Sequence, residues 1–100
     1  MNVLYAGTPT NSADILKFLA LSKKINIKGV ITQNNKIGKR GNKLIESPVA
    51  IEAKTHKIPV FMPTDLNEDE FKKTLDSLNI DILLVVAYGR IIPEWLLKLP

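Results

Sequence analysis

Apolar positions along the chain change period several times, and each change marks an element. Asn2–Ala6 is a short β-prone run that stops at the turn signal Gly7-Thr8-Pro9. Ile15, Phe18, Leu19 and Leu21 then recur near a helical period, which predicts a helix capped by Asn11 or Ser12. Ile25–Thr32 reads as a second strand, with Ile27, Val30 and Ile31 apolar. From Gln33 to Ser47 the period is lost, and Gly38 and Gly41 bracket Lys39 and Arg40. Ser47-Pro48 is an N-cap followed by proline at the first helical position, and Val49, Ala50, Ile51 and Ala53 supply that helix's apolar stripe. Pro59-Val60-Phe61 predicts a brief strand at a sheet edge. Asn67 opens another helix, with Glu70 placed as in a capping box and Phe71, Leu75 and Leu78 facing inward. Ile82–Ala87 is apolar without a break, and its length and β-branched content predict a strand buried on both faces. Tyr88-Gly89-Arg90 turns the chain, and Pro93 opens a last short helix with Trp95, Leu96 and Leu97.

Strands that alternate with helices in this way predict an α/β fold: a partial doubly wound parallel sheet, strand order 3-2-1-4, with helices on both faces. That order puts the most apolar strand at an edge, where unpaired backbone invites aggregation. The expectation is therefore that this chain is part of a larger domain. No internal repeat, low-complexity stretch or linker interrupts the pattern.

Composition narrows the class. The chain has 100 residues, 45% hydrophobic and 24% charged, in the range of globular proteins. It has no cysteine, which excludes a disulfide framework and a thiolate metal site and fits a reducing compartment. The N-terminus lacks the basic and apolar regions of a signal peptide, and the longest apolar run is far too short to span a bilayer. The net charge is +4, and most of the surplus sits between Gln33 and Ser47, where Lys36, Lys39, Arg40 and Lys43 face Glu46 alone. Such a cluster points to an anionic partner, and each cation can neutralise one phosphate.

In open α/β sheets ligands bind at the carboxyl ends of the strands. Two turns qualify. Gly7-Thr8-Pro9 follows the first strand; it lacks the glycines of a dinucleotide fingerprint and the Lys-Ser/Thr of a Walker loop. It reads either as a tight structural turn or as a place where a ligand approaches backbone at a helix N-terminus. Tyr88-Gly89-Arg90-Ile91-Ile92 follows the apolar strand. Tyr88 and Ile91 are placed to wall a slot for a flat ring, with backbone groups giving polar contacts; the alternative is a turn with a core tyrosine. His56 is the only histidine and sits near a helix C-terminus beside Lys54 and Lys57, a surface position suited to the helix dipole. Glu68, Asp69 and Glu70 occupy a first helical turn, which favours a solvated cap over an acid–base pair. No Ser/His/Asp arrangement can be assembled.

Ala6-Gly7-Thr8-Pro9, Gly38-Lys39-Arg40-Gly41-Asn42-Lys43-Leu44, Ser47-Pro48-Val49, Pro59-Val60-Phe61 and Val85–Pro93 occur in an order and spacing that resembles the N-terminal part of the methionyl-tRNA formyltransferases. Each motif is weak alone; the ordered set is specific, and it covers essentially the whole chain. The resemblance implies a Rossmann-like catalytic domain, cytoplasmic or in an organellar matrix. It implies transfer of a formyl group from 10-formyltetrahydrofolate to the amino group of initiator methionyl-tRNA, without a metal, by a monomer. It assigns the folate pocket to Gly7, Thr8, Tyr88, Gly89, Arg90, Ile91 and Ile92. It makes residues 33–47 a basic insertion that meets the tRNA acceptor stem through Lys36, Lys39, Arg40 and Lys43.

The family's catalytic asparagine, histidine and aspartate, and its SLLP-type loop, match positions beyond Pro100, so no catalytic residue is assigned and the chain alone is expected to be inactive. His56 does not match that histidine. Many members continue Gly-Thr-Pro with Asp-Phe, whereas this chain has Thr10-Asn11, so no role transfers to Asn11. The other readings are another 10-formyltetrahydrofolate-dependent formyltransferase and a non-catalytic module that binds nucleotide or RNA through its basic segment.

Overall fold

The computed structural model describes residues 1–33, 36–37 and 44–100. The elements follow in order: β1 (Asn2–Gly7), α1 (Thr10–Ala20), β2 (Asn26–Ile31), β3 (Lys36–Ile37), β4 (Leu44–Ile45), α2 (Pro48–Thr55), β5 (Val60–Phe61), α3 (Asp69–Asp76), β6 (Ile82–Val86) and α4 (Glu94–Leu97). The main sheet has the order β5-β2-β1-β6, and every pair in it is parallel. This is the 3-2-1-4 arrangement expected from the alternation of elements.

β1 is the centre because both of its faces are apolar. Tyr5 joins Ala13, Leu16, Val30, Val49 and Ala53 on the face covered by α1 and α2. Leu4 and Ala6 join Ile31, Phe71, Leu75 and Leu96 on the face covered by α3 and α4. Full burial of each large aliphatic side chain here contributes roughly 1.5–3 kcal/mol. β1 and β2 lose register between Val3 and Leu4, so that Leu4 pairs with Gly29. A Cβ at Gly29 would come within 2.6 Å of the Phe61 ring, and its absence lets that ring lie against β2. Phe61, Phe71 and Trp95 then form an edge-to-face row with centroid spacings of 6.1 and 6.0 Å.

Several local expectations are revised. The N-cap of α1 is Pro9, with no side-chain cap; Asn11 Oδ1 instead accepts from the Ser12 N–H, and Ser12 is buried. The buried side of α1 is Ser12, Ala13 and Leu16, while Ile15, Phe18 and Leu21 are exposed. The turn after β1 places the small Ser12 side chain against Tyr5, and with that face inward Leu16 is buried and Leu19 packs partly against the core. Glu68, not Asn67, is the N-cap of α3, and the expected capping box does not form. Glu68 Oε1 takes the Asp65 N–H instead, and Asn67 Oδ1 accepts from the Trp95 indole. β6 is not buried on both faces: it is an edge of this sheet, and Ile82 and Val85 are both exposed. The 33–47 stretch is not wholly irregular either, because β3 and β4 pair antiparallel, Lys36 with Ile45 and Ile37 with Leu44. Ser47 caps α2 as expected, its hydroxyl accepting from the Ala50 N–H at 3.0 Å with Pro48 following. Of that helix's stripe, Val49, Ala50 and Ala53 are buried and Ile51 is exposed.

Candidate functional site

The carboxyl ends of β1 and β6 lie side by side, Gly7 paired with Val86. Two turns therefore leave the sheet together, Gly7–Pro9 into α1 and Ala87–Ile92 toward α4. A hydrogen bond from Thr8 Oγ1 to the Tyr88 carbonyl, 2.8 Å, joins them. A Cβ at Gly7 would fall 1.9 Å from Ser12 Oγ and 2.8 Å from the Val86 carbonyl oxygen. The close approach that requires glycine here is thus made by the protein's own atoms. Beyond it, the 11-residue α1 directs its N-terminus at the same mouth, a setting that favours negative charge.

The second turn is conformationally unusual. Ala87 has φ 53° and Gly89 has φ 90°, both in the left-handed region, which costs a residue with a Cβ about 1 kcal/mol. Such backbone persists where its surroundings fix it. Here the Tyr88 carbonyl receives two donors, Thr8 Oγ1 and Gln33 Nε2, the latter at 2.9 Å. Arg90 anchors the far side through its guanidinium, 2.9 Å to the Pro63 carbonyl and 3.0 Å to that of Thr64.

Among the residues singled out from sequence, Gly7, Thr8, Tyr88, Gly89 and Arg90 form this connected turn pair. Tyr88 does not offer its ring to the mouth: the ring is buried in the core with Leu4, Ile31 and Leu96. Its contribution at the surface is a backbone carbonyl. Burial pushes the Tyr88 hydroxyl above its ordinary value of 10.0, while the nearby Arg90 charge opposes that shift. The hydroxyl makes no hydrogen bond of ordinary geometry among the described residues, so Arg90 acts on it chiefly through space. Ile92 packs partly against the core and Ile91 is 92% exposed. Among the described residues, the backbone N–H groups of Gly89, Ile91 and Ile92 find no acceptor, which leaves an apolar side chain beside free donors.

Lys39, Arg40 and Lys43 lie outside the described residues, and Lys36 takes its place in β3. The two ends of the basic segment are described. Thr32, fully buried, shares a hydrogen bond with Ser47 across 2.7 Å, and Gln33 reaches the Tyr88 carbonyl. Gln33 was missed by sequence reasoning because a lone glutamine at the end of a strand carries no spacing signal. His56 is the C-cap of α2 and pairs with Glu52 at 2.8 Å, at the opposite end of that helix from Val49, whose N–H reaches the Thr8 carbonyl at 3.4 Å. Among the described residues no three His, Asp or Glu side chains are grouped to hold a metal ion, and no helix is long and apolar enough to cross a membrane.

A parallel sheet in this order, with paired turns at the strand carboxyl ends, defines a Rossmann-like domain. The family model described as formyl transferase matches residues 1–100. A methionyl-tRNA formyltransferase of Thermotoga neapolitana is 40% identical over 100 residues, which is all of this chain and 32% of that protein. Two phosphoribosylglycinamide formyltransferase crystal structures share the fold. The one from Anaplasma phagocytophilum has a TM-score of 0.65 at 19% identity, covering 98% of this chain and 44% of the other. The one from Bacillus halodurans has a TM-score of 0.68 at 18% identity, covering 99% and 51%. The chain belongs to the formyl transferase family, and it spans about a third of the length of the curated relative.

Proposed function

We propose that this chain is the N-terminal part of a methionyl-tRNA formyltransferase, residues 1–100 forming the first portion of its catalytic domain. The single observation that carries the reading is the 40% identity, sustained over the whole chain, to a relative of that name. The solved structures, at 19% and 18% identity, speak to fold alone. The basic segment supports the same reading, because an RNA acceptor explains four cations in one insertion and a small nucleotide acceptor does not.

In this reading the full-length protein acts where translation begins, in the bacterial cytoplasm or an organellar matrix. It moves a formyl group from 10-formyltetrahydrofolate to the methionyl amine of initiator tRNA. The amine attacks the formyl carbon, a general base removes its proton, and hydrogen-bond donors stabilise the oxyanion. The groups that move protons belong to chain beyond Pro100. What this chain supplies is binding: the turns holding Gly7, Thr8 and Tyr88–Ile92 receive the donor's flat ring beside Ile91, its polar edge meeting the free backbone N–H groups. Lys36, Lys39, Arg40 and Lys43 meet acceptor-stem phosphates.

The test is a formylation assay of the purified full-length protein with 10-formyltetrahydrofolate and either methionyl initiator tRNA or glycinamide ribonucleotide. Formylmethionyl-tRNA is the expected product. Transfer to glycinamide ribonucleotide alone would place the protein with a different branch of the family, and binding of RNA without transfer to either acceptor would leave a non-catalytic module.

A further inference from the structure

We propose that Gln33 is a positioning residue that couples the formyl-donor turn to the RNA-binding segment; this rests on the reading above. Gln33 is the first residue of the basic stretch, yet its side chain belongs to the other half of the site. Its Nε2 donates to the Tyr88 carbonyl, 55 residues away in sequence. The same nitrogen lies 2.2 Å from where a Cβ on Gly89 would stand, so the amide covers the glycine as well as holding the carbonyl before it. The turn so held includes two left-handed residues, Ala87 and Gly89, and does not keep that shape by local preference.

Thr8, from the first turn, bonds the same carbonyl. The Tyr88 oxygen is therefore the meeting point of three segments: the turn after β1, the turn after β6 and the start of the basic stretch. Immediately before Gln33, the Thr32–Ser47 hydrogen bond fixes where that stretch begins and ends. Any displacement of Gln33 by an RNA bound to the basic stretch must either carry the Tyr88–Gly89 backbone with it or break its bond. The two binding events then share one free energy, and linkage requires each to change the other's affinity by the same factor.

The experiment uses the full-length protein and two variants. Gln33→Ala removes the side chain. Gln33→Glu keeps its shape but presents oxygen where the donor nitrogen was, so it cannot bond a carbonyl. Melting temperatures establish that both fold. Loss of one hydrogen bond should raise the KM for 10-formyltetrahydrofolate about five- to tenfold in both variants, with kcat at saturating donor within about twofold. The donor's Kd in the wild type should change when uncharged initiator tRNA, which has no amine to formylate, is added, and that change should vanish in both variants. A wild-type enzyme that forms no formylmethionyl-tRNA overturns the functional reading and this inference with it. An active wild type whose Gln33→Glu variant matches it in KM overturns the inference alone. So does donor affinity that ignores tRNA in the wild type.

Discussion

The Tyr5 phenol donates to the Ser12 carbonyl at 2.7 Å and lies 3.0 Å from the Ser12 hydroxyl, with both residues fully buried. A central strand thereby grips the first turn of the helix that follows it. Tyr5→Phe leaves the ring in place, removes the second bond to the Ser12 carbonyl and leaves the buried Ser12 hydroxyl without its phenol partner. It should lower stability by about 1–3 kcal/mol, measured by chemical denaturation of the full-length protein.

Burial raises the titration of Tyr5, the Ser12 hydrogen bond opposing it, and burial also raises that of Tyr88. A phenol whose folded value exceeds its unfolded value binds more protons when folded as pH climbs past about 10. Stability from both residues is thus whole below pH 10 and falls above it. Denaturation midpoints should drop as the pH rises above about 10, and Tyr88→Phe should flatten that drop. A midpoint that does not respond to this alkaline range would show that neither phenol is held as described.

Gly7→Ala forces a methyl against Ser12 Oγ and the Val86 carbonyl. Overpacking of this kind costs roughly 1–3 kcal/mol or more. Gly7→Ala/Ser12→Ala should recover only part of the loss, because the backbone oxygen of Val86 cannot withdraw. Full recovery in a thermal melt would contradict the strand pairing at that point.

Ser47 serves two partners, the Ala50 N–H and the Thr32 hydroxyl. Ser47→Ala removes a helix cap, worth about 1 kcal/mol, and leaves a buried hydroxyl without its partner. Adding Thr32→Val, which deletes that hydroxyl, should return part of the stability. Additive losses on denaturation would rule out a direct bond between the two residues.

Arg40 tests the proposed contact with an RNA acceptor. In the full-length protein Arg40→Ala should raise the KM for methionyl-tRNA about tenfold or more and weaken its salt dependence, as expected for loss of a charged phosphate contact. Donor Kd without tRNA should be unchanged. Equal loss of both affinities would mean that the residue supports the fold.

The alternation of short apolar runs with helical periods pointed to a parallel α/β sheet, and the 3-2-1-4 order followed from the doubly wound pattern, in which the chain returns to the middle of the sheet after its third strand. Ser47-Pro48 announced the start of α2 because both cap residues act locally. The side of α1 that faces the core was not legible. Of the obvious stripe Ile15, Phe18, Leu19 and Leu21, Leu19 alone packs against the core, and the buried positions are Ser12, Ala13 and Leu16, the polarity of Ser12 being satisfied by Tyr5. Asn67 and Glu70 carried a cap pattern that tertiary partners overrode, Trp95 taking the Asn67 side chain. Tyr88 and Gly89 were visible as a turn. That its geometry depends on Gln33 and Thr8 was not, since those partners lie far off in sequence.

The clasp between Thr32 and Ser47 bears on how this protein can change over generations. Because it joins Thr32 and Ser47 directly, residues gained or lost beyond Gln33 fall between fixed ends, where added length costs little. Selection can then vary the side chains between them while the clasp itself remains as it is.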